Sequence, residues 1–348
     1  MKHRILSFAL SLLAVLFANG VFADTWDGTA SIWNHGNGTA SSPFLIESSS
    51  HLAYLAGVVN GGVETYEGVY FKMVTNIDLG SLSWSGIGTS ETVSFKGVFD
   101  GNNFTISGIN SNTALFNYIN NACIMNLSTS GSSKCAGVVV FSYGDFTVIS
   151  NCHSSVTVTG GTGHAGGILS CINGGKVTIS NCSNSGSVTV IKTDKAAGGI
   201  VGMAENDCSI INCYNVGVIT NNVSLSPTDQ QGYSVYSYAG GIVGVIKKNC
   251  TILKCYNAGD IVANADLSHT STSSGLHEKN RSCAGGIVGF IQNASCGRTI
   301  ELCYNKAMNT ATSTTYGKYQ GSNIWLICSL LRSICQWWRY CCIGGGRR

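Results

Sequence analysis

Cysteine is the residue type in this chain whose spacing most invites a chemical reading. Twelve of the sixteen cysteines lie between positions 123 and 303, and five of them recur at one place in a repeated block: Cys152, Cys182, Cys213, Cys255 and Cys303. Cysteine behaves as a small hydrophobe in a protein interior, so this column suits a narrow core. Cys171, Cys208, Cys250 and Cys296 precede column members and leave local disulfides open, because geometry decides pairing. No Cys-x-x-Cys occurs and no histidine recurs in register, so neither a metal nor another cofactor is predicted.

Tyrosine is the second residue type with a repeated position. Tyr214, Tyr256 and Tyr304 each follow a column cysteine, so stacked copies would place their rings on one face. Such a face could bind sugar rings, or it could simply cover apolar surface. Three further tyrosines belong to the longer repeats, where inserts span about residues 221–237 and 264–281: Tyr233, Tyr236 and Tyr238. Adjacent loops on a rigid scaffold often bind ligands, with tolerated insertion as the alternative.

Catalytic arrangements were sought among the acidic residues and histidines. Polysaccharide lyases and glycosidases need carboxylates placed together, but no acidic residue recurs at an equivalent repeat position. The stretch His277-Glu278-Lys279-Asn280-Arg281 resembles a zinc-peptidase helix motif, yet Arg281 stands where the second histidine is required. The sequence therefore predicts no catalytic residue, and a carbohydrate-active enzyme with carboxylates on its loops is the weaker alternative.

The elements that would position these side chains follow from an internal repeat. An Ala-Gly-Gly-Ile-Val type block begins at residues 136, 165, 197, 239 and 284. A block of the Asn-Cys type follows each copy, and a short β-branched run then follows in the first four. Stacked copies would form successive coils of roughly 30 residues, and each coil would contain three strands. We therefore predict an all-β, right-handed parallel β-helix (solenoid), its handedness taken from the general crossover rule. An asparagine column is predicted to accept left-handed geometry and to share amide hydrogen bonds up the stack: Asn184, Asn215, Asn257 and Asn305.

The N-terminal third has less regular coils. A basic start, an apolar run and Val21-Phe22-Ala23 predict an export signal over residues 1–23, with no transmembrane span. Irregular coils are predicted over residues 24–130, before the regular repeats of residues 131–310. They contain one short helix over residues 49–60, capped by Ser49 or Ser50 and stopped by Gly61-Gly62, which would cover the first coil.

The C-terminal residues 311–348 do not fit the repeat pattern. Residues 322–348 hold three of the six tryptophans and four of the cysteines, with no acidic residue. We interpret this segment as the product of a shifted reading frame, with a genuine basic, aromatic tail as the alternative.

The composition limits the function classes further. Charged residues make up 11% of the chain and the net charge is +3, so nucleic acid is not an expected partner.

The repeated blocks resemble the GLUG-motif repeat proteins of bacterial cell surfaces. The resemblance is carried by the Ala-Gly-Gly-Ile-Val-Gly blocks at residues 197, 239 and 284, by Asn-Cys-Tyr-Asn at 212–215, and by Phe-Lys-Gly-Val-Phe-Asp-Gly at 95–101. It implies a β-helical extracellular module, often found in adhesins and sometimes attached to secreted proteases, and it does not by itself imply an enzyme. The expected function is a secreted or cell-surface, non-catalytic adhesion module whose partner is a host or matrix protein or a glycan. A structural spacer of a larger, truncated surface protein is the other alternative.

Overall fold

The chain forms a parallel β-helix, as the repeat predicts. The computed structural model describes residues 25–161, 163–224, 235–267, 280–292, 297–315 and 320–325. Equivalent strands of successive coils pair in parallel, so that Val201 lies beside Leu169 in the preceding coil and beside Val243 in the next. Three sheets run along the axis of the solenoid and are here called sheets 1, 2 and 3.

Sheet 1 is the largest sheet. It carries the asparagine column, the cysteine column and the column of Tyr214, Tyr256 and Tyr304. Its strands in chain order are Phe44–Ile46, Tyr70–Met73, Ile77–Asp78, Ser83–Trp84, Val98–Asp100, Thr105–Ser111, Cys123–Ser133, Thr147–Ser154, Thr157–Val158, Val177–Ser180, Ser183–Asn184, Val188–Val190, Cys208–Ile211, Tyr214–Asn215, Ile219–Ser224, Cys250–Leu253, Tyr256–Asn257, Ile261–Leu267, Arg298–Glu301, Tyr304–Asn305 and Asn309–Thr315.

Sheets 2 and 3 hold the strands on either side of the Gly-Gly turn. Sheet 2 contains Phe116–Asn120, Val139–Tyr143, Leu169–Ile172, Val201–Ala204, Val243–Ile246 and Val288–Ile291. Sheet 3 contains Ala165–Gly166, Lys195–Gly198, Val235–Gly240, Asn280–Gly285 and Gln320–Trp325.

A full coil has five strand segments rather than the three that the sequence predicts. The coil that begins at Lys195 runs through sheet 3, sheet 2 and then three separate segments of sheet 1. The two-residue strand Tyr214–Asn215 is one of the segments missed. It is too short to show the alternation of apolar and polar residues by which a strand is recognised from sequence.

A sharp corner separates the first two segments of sheet 1 in each coil. The corner residue has a positive φ, between +50° and +54°, in six successive coils. These corner residues are Asn126, Asn151, Asn181, Asn212, Lys254 and Leu302. The expectation that the column of Asn184 takes this geometry was therefore wrong, since the left-handed position lies three residues earlier. Asparagine suits it because its short side chain tolerates this region of the Ramachandran plot.

The interior is filled by aliphatic side chains and the cysteine column. Cys182 is buried. Ile179, Ile210 and Ile252, which lie in register on the strands that precede the column cysteines of three successive coils, are buried as well. Burial raises the pKa of the Cys182 thiol well above its ordinary value. Each column thiol thus behaves as an apolar side chain of the core.

A disulfide joins two adjacent coils instead of two positions within one coil. Cys208 and Cys250 face each other in register with their Cα atoms 4.7 Å apart, and their sulfur atoms are bonded. Equivalent residues on parallel strands lie about 4.8 Å apart with parallel side chains, which places two such cysteines within bonding reach. Cys171 is a free thiol, whereas Cys296 lies outside the described residues.

The predicted helix spans Ser49–Asn60 and packs on the first coil. Its buried face consists of Leu52, Leu55 and Val59, which join the main core. The N-cap is Ser48, whose hydroxyl accepts a hydrogen bond from the His51 amide, and not Ser49 or Ser50 as expected. Two glycines end the helix, and Gly62 has a φ of +67°.

The coil pairing extends beyond residue 310, where the sequence places the end of the repeats. Asn309–Thr315 pairs with Ile261–Leu267, and Gln320–Trp325 pairs with Asn280–Gly285. Backbone pairing requires no repeat motif, which is why composition alone did not extend the β-helix this far. Residues 1–24 and 326–348, which hold the predicted export signal and most of the atypical tail, lie outside the described residues. Among the described helices none has the length and apolarity that crossing a bilayer requires.

Candidate functional site

The Gly-Gly turn between sheets 3 and 2 is pressed inward against the asparagine column. A Cβ atom added to Gly199 would lie 2.5 Å from Cγ of Asn215, and one added to Gly241 would lie 2.5 Å from Cγ of Asn257. Only glycine therefore fits the turn at this depth. The turn lies in close contact with the asparagine column across the coil. On the outside, residues of sheets 2 and 3 line a groove.

The asparagine column forms a continuous hydrogen-bonded ladder behind the groove. Nδ2 of Asn184 donates to Oδ1 of Asn215 at 2.8 Å, Asn215 donates to Asn257 at 2.8 Å, and Asn257 donates to Asn305 at 2.7 Å. The second Nδ2 hydrogen of Asn215 is donated to the Gly217 carbonyl at 2.8 Å. These hydrogen bonds satisfy most of the polar atoms of the buried asparagine side chains. The Gly-Gly turn therefore packs against a rigid surface.

The floor of the groove is an apolar ladder on the outer face of sheet 2. Its rungs lie in direct register over five coils: Phe141, Cys171, Met203, Val245 and Phe290. The three central rungs are buried, whereas the two phenylalanines at the ends are half-buried. At a spacing of about 4.8 Å between coils, the floor is roughly 19 Å long.

A polar ladder runs beside the floor, two residues further along each strand. It consists of Tyr143, Asn173, Glu205, Lys247 and Gln292. Lys247 forms an ion pair with Glu205 of the preceding coil, and Asn173 donates to the Tyr143 hydroxyl at 3.1 Å. This edge of the groove thus offers charges and hydrogen-bonding groups beside an apolar strip.

The opposite wall comes from the outer face of sheet 3. Tyr238 stacks on Phe290 of the floor with their ring centroids 4.7 Å apart, and on Tyr236 at 6.1 Å. The Arg281 guanidinium lies over both the Tyr236 ring, at 6.0 Å, and the Phe290 ring, at 5.6 Å. Aromatic rings and an arginine therefore surround one end of a groove whose volume is about 740 Å³.

The groove carries a small positive charge. Lys195, Lys247 and Arg281 line it together with Asp194 and Glu205, three cations against two carboxylates. The lining also includes His164, whose Nδ1 accepts a hydrogen bond from the Ala196 amide at 2.9 Å. Burial, together with the nearby lysines, lowers the pKa of His164 to about 3, so its ring is neutral at physiological pH.

Two of the six tyrosines predicted to bind a ligand line this groove. Tyr236 and Tyr238 do so because the C-terminal part of the first insert forms the strand Val235–Gly240, while Tyr233 lies outside the described residues. The remaining three stand in register on sheet 1 and contribute nothing to the groove: Tyr214, Tyr256 and Tyr304. Tyr256 and Tyr304 stack at 5.6 Å, and the exposed fractions of Tyr214 and Tyr304 are 44% and 45%.

The inserts are partly strand rather than loop. Ile219–Ser224 and Val235–Gly240 are the arms of the first insert, and they pair with the arms of the second. Val223, Val235 and Ala265 form a small core between the arms. The paired arms lengthen sheet 3 and so raise the wall that carries Tyr236 and Arg281.

Sequence reasoning missed the apolar floor and the position of Arg281. In the last four copies the floor residue stands six positions after the block alanine, but its identity changes from Cys171 to Met203, Val245 and Phe290. Only the apolar character is shared, so no single-residue column marks it. Among the described residues no group of three histidine, cysteine or acidic side chains has the arrangement of a metal site, and His277 and Glu278 lie outside them.

Comparison with known proteins agrees with the fold and with the repeat. The model of the GLUG motif matches residues 194–220, which include the Gly-Gly turn of Gly199 and the ladder residue Asn215. The resemblance noted from the sequence is thereby confirmed, and the motif residues are those that form the pressed-in turn.

Two related proteins show how far the likeness extends. A provisionally named Gly-rich membrane protein of Evansella cellulosilytica is 27% identical over 144 residues, which cover 37% of this chain and 16% of that protein. The chain therefore corresponds to a small part of this longer relative. A crystal structure of a provisionally assigned immunoglobulin A1 protease from Bacteroides ovatus superposes with a TM-score of 0.54 at 19% identity, covering 84% of this chain and 86% of that one. At this identity the likeness supports the β-helical fold alone.

Proposed function

We propose that this protein is an exported, non-catalytic adhesion module of the cell surface or its surroundings, and that it holds an elongated ligand in the groove between sheets 2 and 3. The continuous apolar floor from Phe141 to Phe290 is the observation that carries the proposal. The partner is a host or matrix protein or a glycan. The GLUG motif and the relative named as a membrane protein support a location at the surface.

The accessible part of the groove has the features of a binding site. The three central rungs of the floor are buried, and the apolar surface open to a ligand comes from the half-buried rings of Phe141 and Phe290 and from the tyrosines of the wall. The floor is apolar, the rim is polar, and a rigid aromatic cluster with an arginine closes one end. Aromatic rings and arginine supply much of the affinity at protein interfaces, and a rigid scaffold lowers the entropy lost on binding. The β-helix therefore serves as a stiff support that presents a linear strip of side chains.

The experiment is an array of glycans and extracellular-matrix proteins probed with the full chain, scored both for binding and for loss of substrate. Val245→Arg would place a long charged side chain on the floor, and we expect it to weaken binding of the ligands found by at least about tenfold. Val216→Arg controls for the added charge, since Val216 is 46% exposed beside the sheet 1 strand Tyr214–Asn215 and does not line the groove. Thermal unfolding of both variants shows whether the fold is kept.

Saturable binding that Val245→Arg reduces and Val216→Arg leaves unchanged supports the proposal. Binding that is unaffected by Val245→Arg overturns the location of the site. Depolymerisation of a glycan overturns the non-catalytic assignment and directs attention to Asp194 and Glu205, the carboxylates of the groove.

A further inference from the structure

Arg281 occupies a position at which it can recognise an anion. Its guanidinium lies over two aromatic rings that belong to different sheets, that of Tyr236 on the wall and that of Phe290 on the floor of the groove. An arginine stacked by its flat face keeps the N–H groups of its edge available in a planar fork that matches a carboxylate. The side chain is exposed, and none of the salt bridges among the described residues involves it.

The surroundings of Arg281 add to this preference for negative charge. Tyr238 stacks beside Tyr236 and lies near enough to Arg281 to sense its charge. Burial raises the pKa of the Tyr238 hydroxyl, which therefore stays protonated and remains a hydrogen-bond donor. The charge of Lys247 is compensated by Glu205, and Lys195 lies beside the carboxylate of Asp194. Arg281 is therefore the cation of the groove that has no carboxylate beside it among the described residues.

The strands that line the groove are already paired with strands on both sides, so a peptide strand could not pair with their backbone. Val201–Ala204 is paired on one side with Leu169–Ile172 and on the other with Val243–Ile246, and the strands of sheet 3 are paired in the same way. A ligand that runs along the axis therefore meets side chains only, so addition of a β-strand at an open edge is not available there.

The spacing of the side chains suits a chain of sugar rings. Apolar rungs repeat about every 4.8 Å along the floor, which is comparable with the length of one pyranose unit. The C–H faces of such rings would pack on the half-buried aromatic rings of the groove, those of Phe141, Phe290 and Tyr238. Asn173 and Gln292 line the edge where hydroxyl groups would project.

We infer that the ligand of the groove is a linear acidic glycan that lies along the floor, with the carboxylate of one uronic acid held by Arg281 and the Tyr238 hydroxyl. This inference rests on the proposed function, because it names the ligand class of the same groove. It requires no bond to form or break, and it assigns Arg281 as the residue that selects charged over neutral glycans.

The test compares oligogalacturonate with its fully methyl-esterified form, in which each carboxylate is replaced by a neutral methyl ester, by calorimetric titration into the full chain. Hyaluronan and alginate oligosaccharides extend the acidic set. We expect the acid to bind at least about tenfold more tightly than the ester, as a charge-assisted hydrogen bond contributes about this much. Arg281→Gln should remove that difference, and Arg281→Lys should retain only part of it because lysine lacks the planar fork.

Lys248→Gln is the matched control, since Lys248 is exposed one residue beyond Lys247 and does not line the groove. Equal affinity for acid and ester, an unchanged preference in Arg281→Gln, or no binding of any acidic oligosaccharide overturns the inference. If a neutral glycan or a matrix protein instead binds and Val245→Arg weakens it, the proposed function stands while the ligand class is wrong. If no ligand depends on Val245, both fail.

Discussion

Gly199 lies directly against Asn215 across the interior of the same coil, so close that a single added carbon atom would stand 2.5 Å from the Asn215 amide carbon. The two residues are 16 positions apart and belong to the two blocks that recur in the sequence. The recurrence of both blocks therefore has one physical cause: the glycine allows the turn to approach, and the asparagine ladder supports it.

Replacing Gly199 with alanine tests this relationship. The new methyl group would meet the Gly241 carbonyl oxygen at 2.0 Å as well as Asn215, and both neighbours are held by hydrogen bonds. We expect a loss of about 1–3 kcal/mol in the free energy of unfolding, measured by chemical denaturation. Gly57→Ala is the control, because Gly57 lies in the helix with open space around it, and alanine favours helices. Equal effects of the two substitutions would show that the close approach is not a constraint.

The ladder ends at Asn184 with an unfilled position. Oδ1 of Asn184 is buried and has no hydrogen-bond partner among the described residues, because the preceding coil has Ser154 at the same register position. Each asparagine donates to the next coil, so Ser154→Asn should donate to Asn184 and stabilise the protein by about 1 kcal/mol. Ser154→Ala adds no donor and should not stabilise it. Thermal unfolding of the three proteins decides, and a destabilised Ser154→Asn variant would contradict the ladder.

His164 should make stability depend on pH. Its pKa is lowered from 6.5 to about 3 in the folded protein, so between these values the unfolded chain binds a proton that the folded chain does not. Stability is therefore greatest above pH 6.5 with respect to this group and declines as the pH falls towards 3. His164→Asn, which retains an acceptor for the Ala196 amide, should flatten this part of the profile. The free energy of unfolding of the wild-type protein and of His164→Asn is measured by urea denaturation between pH 6 and 4. An equal dependence on pH in the two proteins would contradict the lowered pKa of His164.

The disulfide and the free thiol of Cys171 should respond differently to reagents. Reduction of Cys208–Cys250, which closes a separation of 42 residues, should cost about 2–4 kcal/mol. Burial raises the pKa of the Cys171 thiol to about 12, so this cysteine should resist alkylation while the protein is folded. Melting curves with and without reductant, compared with a Cys208→Ala/Cys250→Ala variant, measure the first effect. An equal response of that variant to the reductant would contradict the pairing.

The sequence predicted the β-helix because its blocks repeat with strand-sized segments between them. In the last four copies the column cysteine follows the second glycine of the block after 14 to 17 residues, as Cys213 follows Gly199. The sequence could not predict the groove, because the floor position holds Cys171, Met203 and Val245, which share only apolarity. Their spacing from the block alanine is constant, but no single residue type marks the position, and the sequence does not show that it faces outward beside sheet 3.

Arg281 illustrates the same limit. In the sequence it was noted within an insert and as a mismatch to a zinc-peptidase motif. Its contact with Phe290 depends on the pairing of Asn280–Gly285 with Val235–Gly240, which brings Tyr236 beside it. Long-range pairing of this kind cannot be read from local residue patterns.

The most direct measurement compares two tyrosine variants in one binding assay. Tyr238 and Tyr304 were both predicted as ligand-binding residues, but Tyr238 lines the groove and Tyr304 lies on sheet 1. With the tightest-binding ligand found for the full chain, we expect Tyr238→Ala to raise the dissociation constant at least about tenfold, whereas Tyr304→Ala leaves it unchanged within about twofold. A loss of affinity in Tyr304→Ala with none in Tyr238→Ala would contradict the assignment of the groove as the binding site.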